Sequence, residues 1–192
     1  MKNKLIIFDC FGVIFDEIAV RFFNKHFEPA QAAELKDKFF IPADMGEIEY
    51  DEIFVRMAQE LKWDKEYILS EWNSLFNLRK EMVPLIEWAG ERADVVLLSN
   101  APSGLVERLF EENSLTHLFL HITVSANVKM VKPDLEIYRH CVKQMNKEYD
   151  EIYMIDDSER NLKNLESIGI TPILFKDVKQ LKNELESILE GG

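Results

Sequence analysis

Three stretches of the chain share one pattern: a short run that is apolar at every position and then stops at a polar residue. They are Leu5-Ile6-Ile7-Phe8 before Asp9, Val95-Val96-Leu97-Leu98 before Ser99-Asn100, and Ile152-Tyr153-Met154-Ile155 before Asp156-Asp157. A run apolar on both faces suits a parallel strand covered by helices on each side. Pro172-Ile173-Leu174-Phe175 predicts another strand. Between these runs the period becomes helical. Leu162, Leu165 and Ile168 recur at three-residue spacing, with Ser158 as a cap and Gly169 past the end. Pro133 suits the first turn of a helix carrying Tyr138, Cys141, Val142 and Met145, with Lys132 held extended before it. A final amphipathic helix carries Val178, Leu181, Leu185, Ile188 and Leu189. Strand and helix thus alternate from about Glu91 to the end, which is the α/β pattern.

From Asp16 to Glu81 the pattern differs, because helical spacing dominates and strand signals are nearly absent. Phe22-Phe23-Phe27, Leu35-Phe39, Ile53-Phe54-Met57-Leu61 and Tyr67-Ile68-Trp72-Phe76 predict four helices, with breaks near Pro29, Pro42 to Gly46, and Trp63-Asp64. The expected architecture is a three-layer, Rossmann-like α/β core with a five-stranded parallel sheet. Residues 1–15 and 82–192 would form that core, and residues 16–81 a four-helix domain inserted after the first strand.

Composition narrows the function. At 192 residues the chain can hold one core plus a modest insertion, and 47% hydrophobic with 30% charged residues is ordinary for a folded protein. A net charge of −12 argues against nucleic acid as a partner, since duplex binding needs a basic surface. The same charge repels anions, so any phosphate site must be locally positive or built around a divalent cation. Two cysteines, Cys10 and Cys141, suggest neither a disulfide framework nor a zinc cluster. The few apolar residues before Asp9 are too short for a signal-peptide core, and no apolar run is long enough to span a bilayer. A cytoplasmic protein without a membrane partner is expected.

In open parallel sheets, ligands bind beyond the carboxyl ends of strands where the strand order reverses. Asp9, Ser99, Asp156 and Asp157 all fall at such ends. If the strands are neighbours, three carboxylates converge, and their repulsion calls for a hard divalent ion with oxygen ligands, for which magnesium with a substrate phosphate fits best. Lys132 would add a positive point charge.

Asp9-Cys10-Phe11-Gly12-Val13, Ser99-Asn100, Lys132-Pro133 and Asp156-Asp157-Ser158 resemble, in order and spacing, the four motifs of the haloacid dehalogenase superfamily. The stretch from Asp156 to Gly169 is most similar to its sugar-phosphate phosphatases. That resemblance implies a Mg2+-dependent phosphatase acting on a small-molecule phosphomonoester, as a monomer or homodimer. Asp9 would attack phosphorus to form an aspartyl-phosphate. Asp9, the main-chain carbonyl of Phe11 and Asp157 would bind the magnesium, with Asp156 helping through water or directly. Ser99 and the amide of Asn100 would hold phosphoryl oxygens, and Lys132 would steady nucleophile and phosphate.

One position departs from the pattern: phosphatases of the superfamily usually carry a second aspartate, an acid and base, where Phe11 stands here. The dehalogenase branch has an aromatic residue there, so a 2-haloacid dehalogenase using Asp9 is the alternative. Against it, that branch keeps no aspartate pair like Asp156-Asp157 and usually has threonine where Val13 stands. A reading of another class is a binding or regulatory protein on a catalytically weakened scaffold.

Plainer roles compete for each residue. Asp9, Asp156 and Asp157 could cap turns, Ser99 could be a turn residue and Lys132 a solvated charge; only their joint placement argues otherwise. Cys10 is assigned to packing, because a thiol phosphatase needs arginine at position 16, which is Asp16. His26, His117, His121 and His140 lack metal-ligand spacing, and no G-x-x-x-x-G-K loop is present. Ala43 to Glu47 and Arg79-Lys80 are candidates for substrate contact, with surface solvation as the plainer role.

Overall fold

The structure is a computed structural model that describes residues 3–191. Residues 1, 2 and 192, at the outer ends of the expected core segments, lie outside the described residues.

The chain opens with strand β1 (Lys4–Phe8) and then forms four helices, α1 (Ile18–His26), α2 (Pro29–Asp44), α3 (Tyr50–Leu61) and α4 (Lys65–Ser74). Next come α5 (Met82–Gly90), β2 (Asp94–Ser99), α6 (Leu105–Glu112), β3 (His121–Val124), the single turn α7 (Ser125–Val128) and α8 (Leu135–Lys143). β4 (Glu151–Asp156), the single turn α9 (Glu159–Leu162), β5 (Ile170–Leu174) and α10 (Val178–Glu190) complete the order. All five strands run parallel, in the order β3-β2-β1-β4-β5. β1 is therefore central, and the chain leaves it first toward β2 and β3, then returns to its other side as β4. The crevice beyond the ends of β1 and β4 is the switch point.

Both faces of the sheet are covered. Ile6, Phe8, Val95, Leu97, Ile155 and Ile173 pack with residues of α5, α6 and α10, while Leu5, Ile7, Val96, Leu98 and Met154 pack with Ile137, Tyr138 and Cys141 of α8. Leu5 to Phe8 are wholly buried, each contributing about 1.5–3 kcal/mol of apolar burial. This burial on both faces is why the strands read as continuous apolar runs.

Helices α1–α4 surround a separate apolar cluster that includes Phe22, Phe23, Phe39, Phe40, Phe54 and Trp72. Phe40 stacks on Trp72 with ring centroids 5.0 Å apart, and the Trp72 indole donates to the Tyr50 hydroxyl at 2.9 Å. The segments entering and leaving these helices are cross-tied. Phe15 pairs antiparallel with Leu78, the Asp16 amide donates to the Asn77 carbonyl at 3.1 Å, and the Arg79 amide donates to the Ile14 carbonyl at 2.9 Å.

Two local expectations need correction, at the start of α8 and after Ser158. α2 runs through Pro42 and stops at Asp44, within the break expected from Pro42 to Gly46. α8 starts at Leu135 and not at Pro133, because Asp134 caps it by accepting from the Glu136 amide at 3.0 Å. The expected helix after Ser158 is two pieces: α9 stops at Leu162, Asn164 turns left-handed (φ 63°), and Leu165–Ile168 form a 3-10 turn. Three-residue spacing is the 3-10 period. Pro172 lies inside β5, which tolerates it as an edge strand. β3, four residues with His121 and Thr123 among them, carries no uniform apolar run.

Candidate active site

Asp9 follows β1, Asp156 ends β4, and Lys132 comes from the segment between α7 and α8. The Lys132 ammonium lies 2.8 Å from Asp9 Oδ1 and 2.6 Å from Asp156 Oδ2, and all three side chains are buried. Ordinarily burial disfavours an ammonium, but here Asp156 and Asp9 outweigh it and hold the Lys132 pKa well above its usual range. The lysine is charged at any physiological pH.

Asp156 anchors this arrangement. Its Oδ1 accepts from the Ser158 amide at 2.8 Å and from Asn161 Nδ2 at 3.1 Å, and its Oδ2 accepts from the same Nδ2 at 3.1 Å as well as from Lys132. The Asn161 carbonyl in turn accepts from the Tyr138 hydroxyl. Asn100 fixes the lysine from the other side: its Oδ1 accepts from the Lys132 amide at 2.8 Å and its Nδ2 donates to the Lys132 carbonyl at 3.0 Å. Sequence reasoning missed Tyr138, Asn161 and this clamp; the short spacing from Asp156 to Asn161 was the one available signal.

Asp157 is exposed, yet it approaches the turn after β1. Carboxylate oxygens of Asp9, Asp156 and Asp157 lie within 4.8 Å of one another. Gly12 has φ +85°, and a Cβ there would fall 2.2 Å from Asp157 Oδ2, so only glycine admits that carboxylate. Burial of Asp9, and lost hydration where the carboxylate of the otherwise exposed Asp157 meets the Gly12 turn, raise both pKa values; the Asp156 charge adds to each, against the pull of Lys132. Fully ionised, three carboxylates against one ammonium carry a formal excess of two negative charges, which a divalent cation would offset.

A cavity of about 580 Å³ opens above this cluster, lined by Asp9, Phe11, Asn100, Lys132, Asp157 and Asn161 from the sheet ends. Glu17, Ile18, Lys36, Phe40, Asp44 and Trp72 line it from the α1–α4 side. Of the residues predicted from sequence, Asp9, Phe11, Asn100, Lys132 and Asp157 thus share one cavity. Asp156 lies beneath it. Ser99 is wholly buried at the end of β2, its hydroxyl 3.5 Å from the Asn100 carbonyl, and does not line the cavity. Cys10 is also buried, and burial together with the Asp9 charge pushes its thiol well up, which fits packing. Arg79 is no solvated charge: it donates to the Gly12 carbonyl and, at 3.2 Å, to the Val13 carbonyl, and pairs with Asp16 at 3.1 Å.

With this geometry established, the chain matches the haloacid dehalogenase-like hydrolases over residues 3–169. It belongs to that family. The hydrolase is 26% identical over 150 residues, 76% of each chain, to a sesquiterpene phosphatase of Aspergillus oryzae. Its fold is shared with a haloacid dehalogenase family enzyme of Bacteroides thetaiotaomicron solved with magnesium and inorganic phosphate, with a TM-score of 0.75, 22% identity, and 93% and 98% of the two chains covered. It is shared also with an L-2-haloacid dehalogenase of Xanthobacter autotrophicus, with a TM-score of 0.64, 14% identity, and 99% and 84% covered. At those identities the fold alone is common ground.

Proposed function

We propose that this hydrolase is a magnesium-dependent phosphatase of small phosphomonoesters, working through an aspartyl-phosphate on Asp9. The convergence of three carboxylates, oxygen donors only, beside a single ammonium at the switch point is the observation that carries this reading. The residues fit a magnesium ion: Asp9 and Asp157 offer carboxylates, and the Phe11 carbonyl accepts no hydrogen bond among the described residues. Both oxygens of Asp156 are already engaged, so its part is to hold Lys132. Bound there, magnesium would neutralise the excess charge and polarise a phosphoryl oxygen.

The chain's own groups supply the rest. Asp9, oriented by the Cys10 amide at 2.7 Å, is the nucleophile at the cavity floor. Lys132 has two ammonium hydrogens engaged and a third available for a phosphoryl oxygen. It also offsets charge as Asp9 meets an anionic substrate. Residues 16–81 act as a cap over residues 3–15 and 82–191, and Ile18, Phe40 and Trp72 exclude water around the leaving group. Room for a sugar-sized group, and a cap wall that mixes Ile18, Phe40 and Trp72 with Glu17, Lys36 and Asp44, suit a sugar phosphate or a small terpenoid phosphate.

The test is release of phosphate from a panel of phosphomonoesters, and of halide from 2-haloacids, with magnesium or with chelator. The expected outcome is magnesium-dependent phosphate release that disappears in Asp9→Asn and Asp157→Asn. Halide release without metal would replace this reading with dehalogenation. Stoichiometric labelling of Asp9 without turnover would instead favour a binding or regulatory protein.

A further inference from the structure

Displacing an alkoxide from phosphorus requires a proton for the departing oxygen, and the groups around Asp9 do not supply one. The Phe11 side chain has no acidic proton, Lys132 is held charged by Asp156 and Asp9 and so keeps its protons, and Asp156 accepts from Lys132. On the cap side of the cavity the acids are Glu17, Asp37 and Asp44, and Asp37 is exposed to bulk water. Asp44 is different. It sits on the last turn of α2, the part of the cap fastened to the core. Two residues on, Gly46 (φ +66°) approaches so closely that a Cβ would fall 2.5 Å from the Ala126 carbonyl oxygen, and Lys129 Nζ donates to the Gly46 carbonyl at 3.0 Å. The neighbouring Ala43 is wholly buried. Asp44 is thus held at a fixed place on the cavity wall, where its carboxylate has no hydrogen bond or ion pair among the described residues.

Resting on the phosphatase reading, we infer that Asp44 is a catalytic acid and base delivered by the cap, filling the role that Phe11 leaves vacant. As the Asp9 carboxylate forms its bond to phosphorus, the bond from phosphorus to the leaving oxygen breaks, and that oxygen takes the Asp44 proton and departs as an alcohol. Water then attacks the aspartyl-phosphate, giving a proton back to Asp44 as inorganic phosphate and free Asp9 form. Half-burial, then the Glu17 charge, push Asp44 up to about 7 against Lys36 and Lys132, which suits transfer in both directions near neutral pH. The charged groups facing it are Glu17, Lys36, Asp37 and Lys132.

The test uses 4-nitrophenyl, phenyl and benzyl phosphate, similar rings whose leaving oxygens are increasingly basic, in magnesium, with formation of phospho-Asp9 followed by rapid quench. Wild type is expected to show a shallow decline along the series. Asp44→Asn is expected to form phosphoenzyme from 4-nitrophenyl phosphate within a few-fold of wild type, but to lose roughly 10²–10⁴-fold on benzyl phosphate. The fall of wild-type kcat/KM above about pH 7 on benzyl phosphate should vanish with it. Equal losses on all three esters, no loss on any, or a steepened series in Glu17→Gln with Asp44→Asn unchanged, would overturn the inference. Wild type inert toward every ester would overturn the phosphatase reading, and this inference with it. Matching melting curves for the variants establish that each is folded.

Discussion

At the scale of single residues, the site depends on a few atoms that lock the charged groups together. Gly12 is the clearest case, because Asp157 occupies the volume a side chain there would fill. Gly12→Ala is therefore expected to displace Asp157 and weaken magnesium binding at least tenfold, read by titrating activity with the metal; an unchanged magnesium dependence would refute the contact. Asp44 makes a separate prediction about stability. Its folded-state pKa of about 7 lies above the ordinary 3.8, so the folded protein keeps a proton that the unfolded chain has released. The contribution is complete below about pH 4 and is lost as pH rises through about 7. Between pH 5 and 8 this amounts to about 2–3 kcal/mol. Urea unfolding of metal-free protein should show a loss larger by that amount in wild type than in Asp44→Asn, Asp9 and Asp157 contributing to both, and equal losses would count against it.

At the scale of elements, the two segments joining α1–α4 to the sheet are tied together at the turn that carries Phe11 and Gly12. Arg79 is the clasp. It reaches the Gly12 and Val13 carbonyls, pairs with Asp16, and lies 5.3 Å over the Phe175 ring, so one side chain joins the second connection, the first connection and the end of β5. Hydrogen bonds from a charged donor to main-chain carbonyls are worth about 1.5–3 kcal/mol. Arg79→Met should lower stability by about that much and speed amide exchange at Gly12 and Ile14, whose amides donate to Phe15 and Cys10. Protection equal to wild type at both amides would show that the turn holds itself. Pattern reading placed α1–α4 well, because each hides an aromatic stripe at helical spacing. It did less well at Leu162–Ile168, where three-residue spacing fits an α-helix and a 3-10 turn alike.

At the scale of the whole molecule, a net charge of −12 surrounds a site proposed to take a phosphate dianion. Long-range repulsion slows encounter, and salt screens it over about 8–10 Å at physiological strength. kcat/KM for a phosphomonoester at saturating magnesium is therefore expected to rise as sodium chloride goes from about 10 to about 150 mM, with kcat nearly constant. A fall would mean that local cations, not the acidic surface, govern approach. Among the described residues no helix is long and apolar enough to cross a membrane.

The amino-acid sequence alone determined β1, β2 and β4 and where they end, since burial on both faces forces uniform apolar runs that a polar residue must terminate. It therefore also determined that Asp9, Asp156 and Asp157 stand at strand ends. Tertiary structure decided what each does. The Asn100 clamp on Lys132 and the Asn161 and Tyr138 support of Asp156 join residues 20 or more positions apart at most of their contacts, and no local period encodes them. Tertiary structure also turned Arg79 inward and set Asp44 on the cavity wall, because only packing of α2 against α7 decides which carboxylate is withdrawn from water and which stays in it.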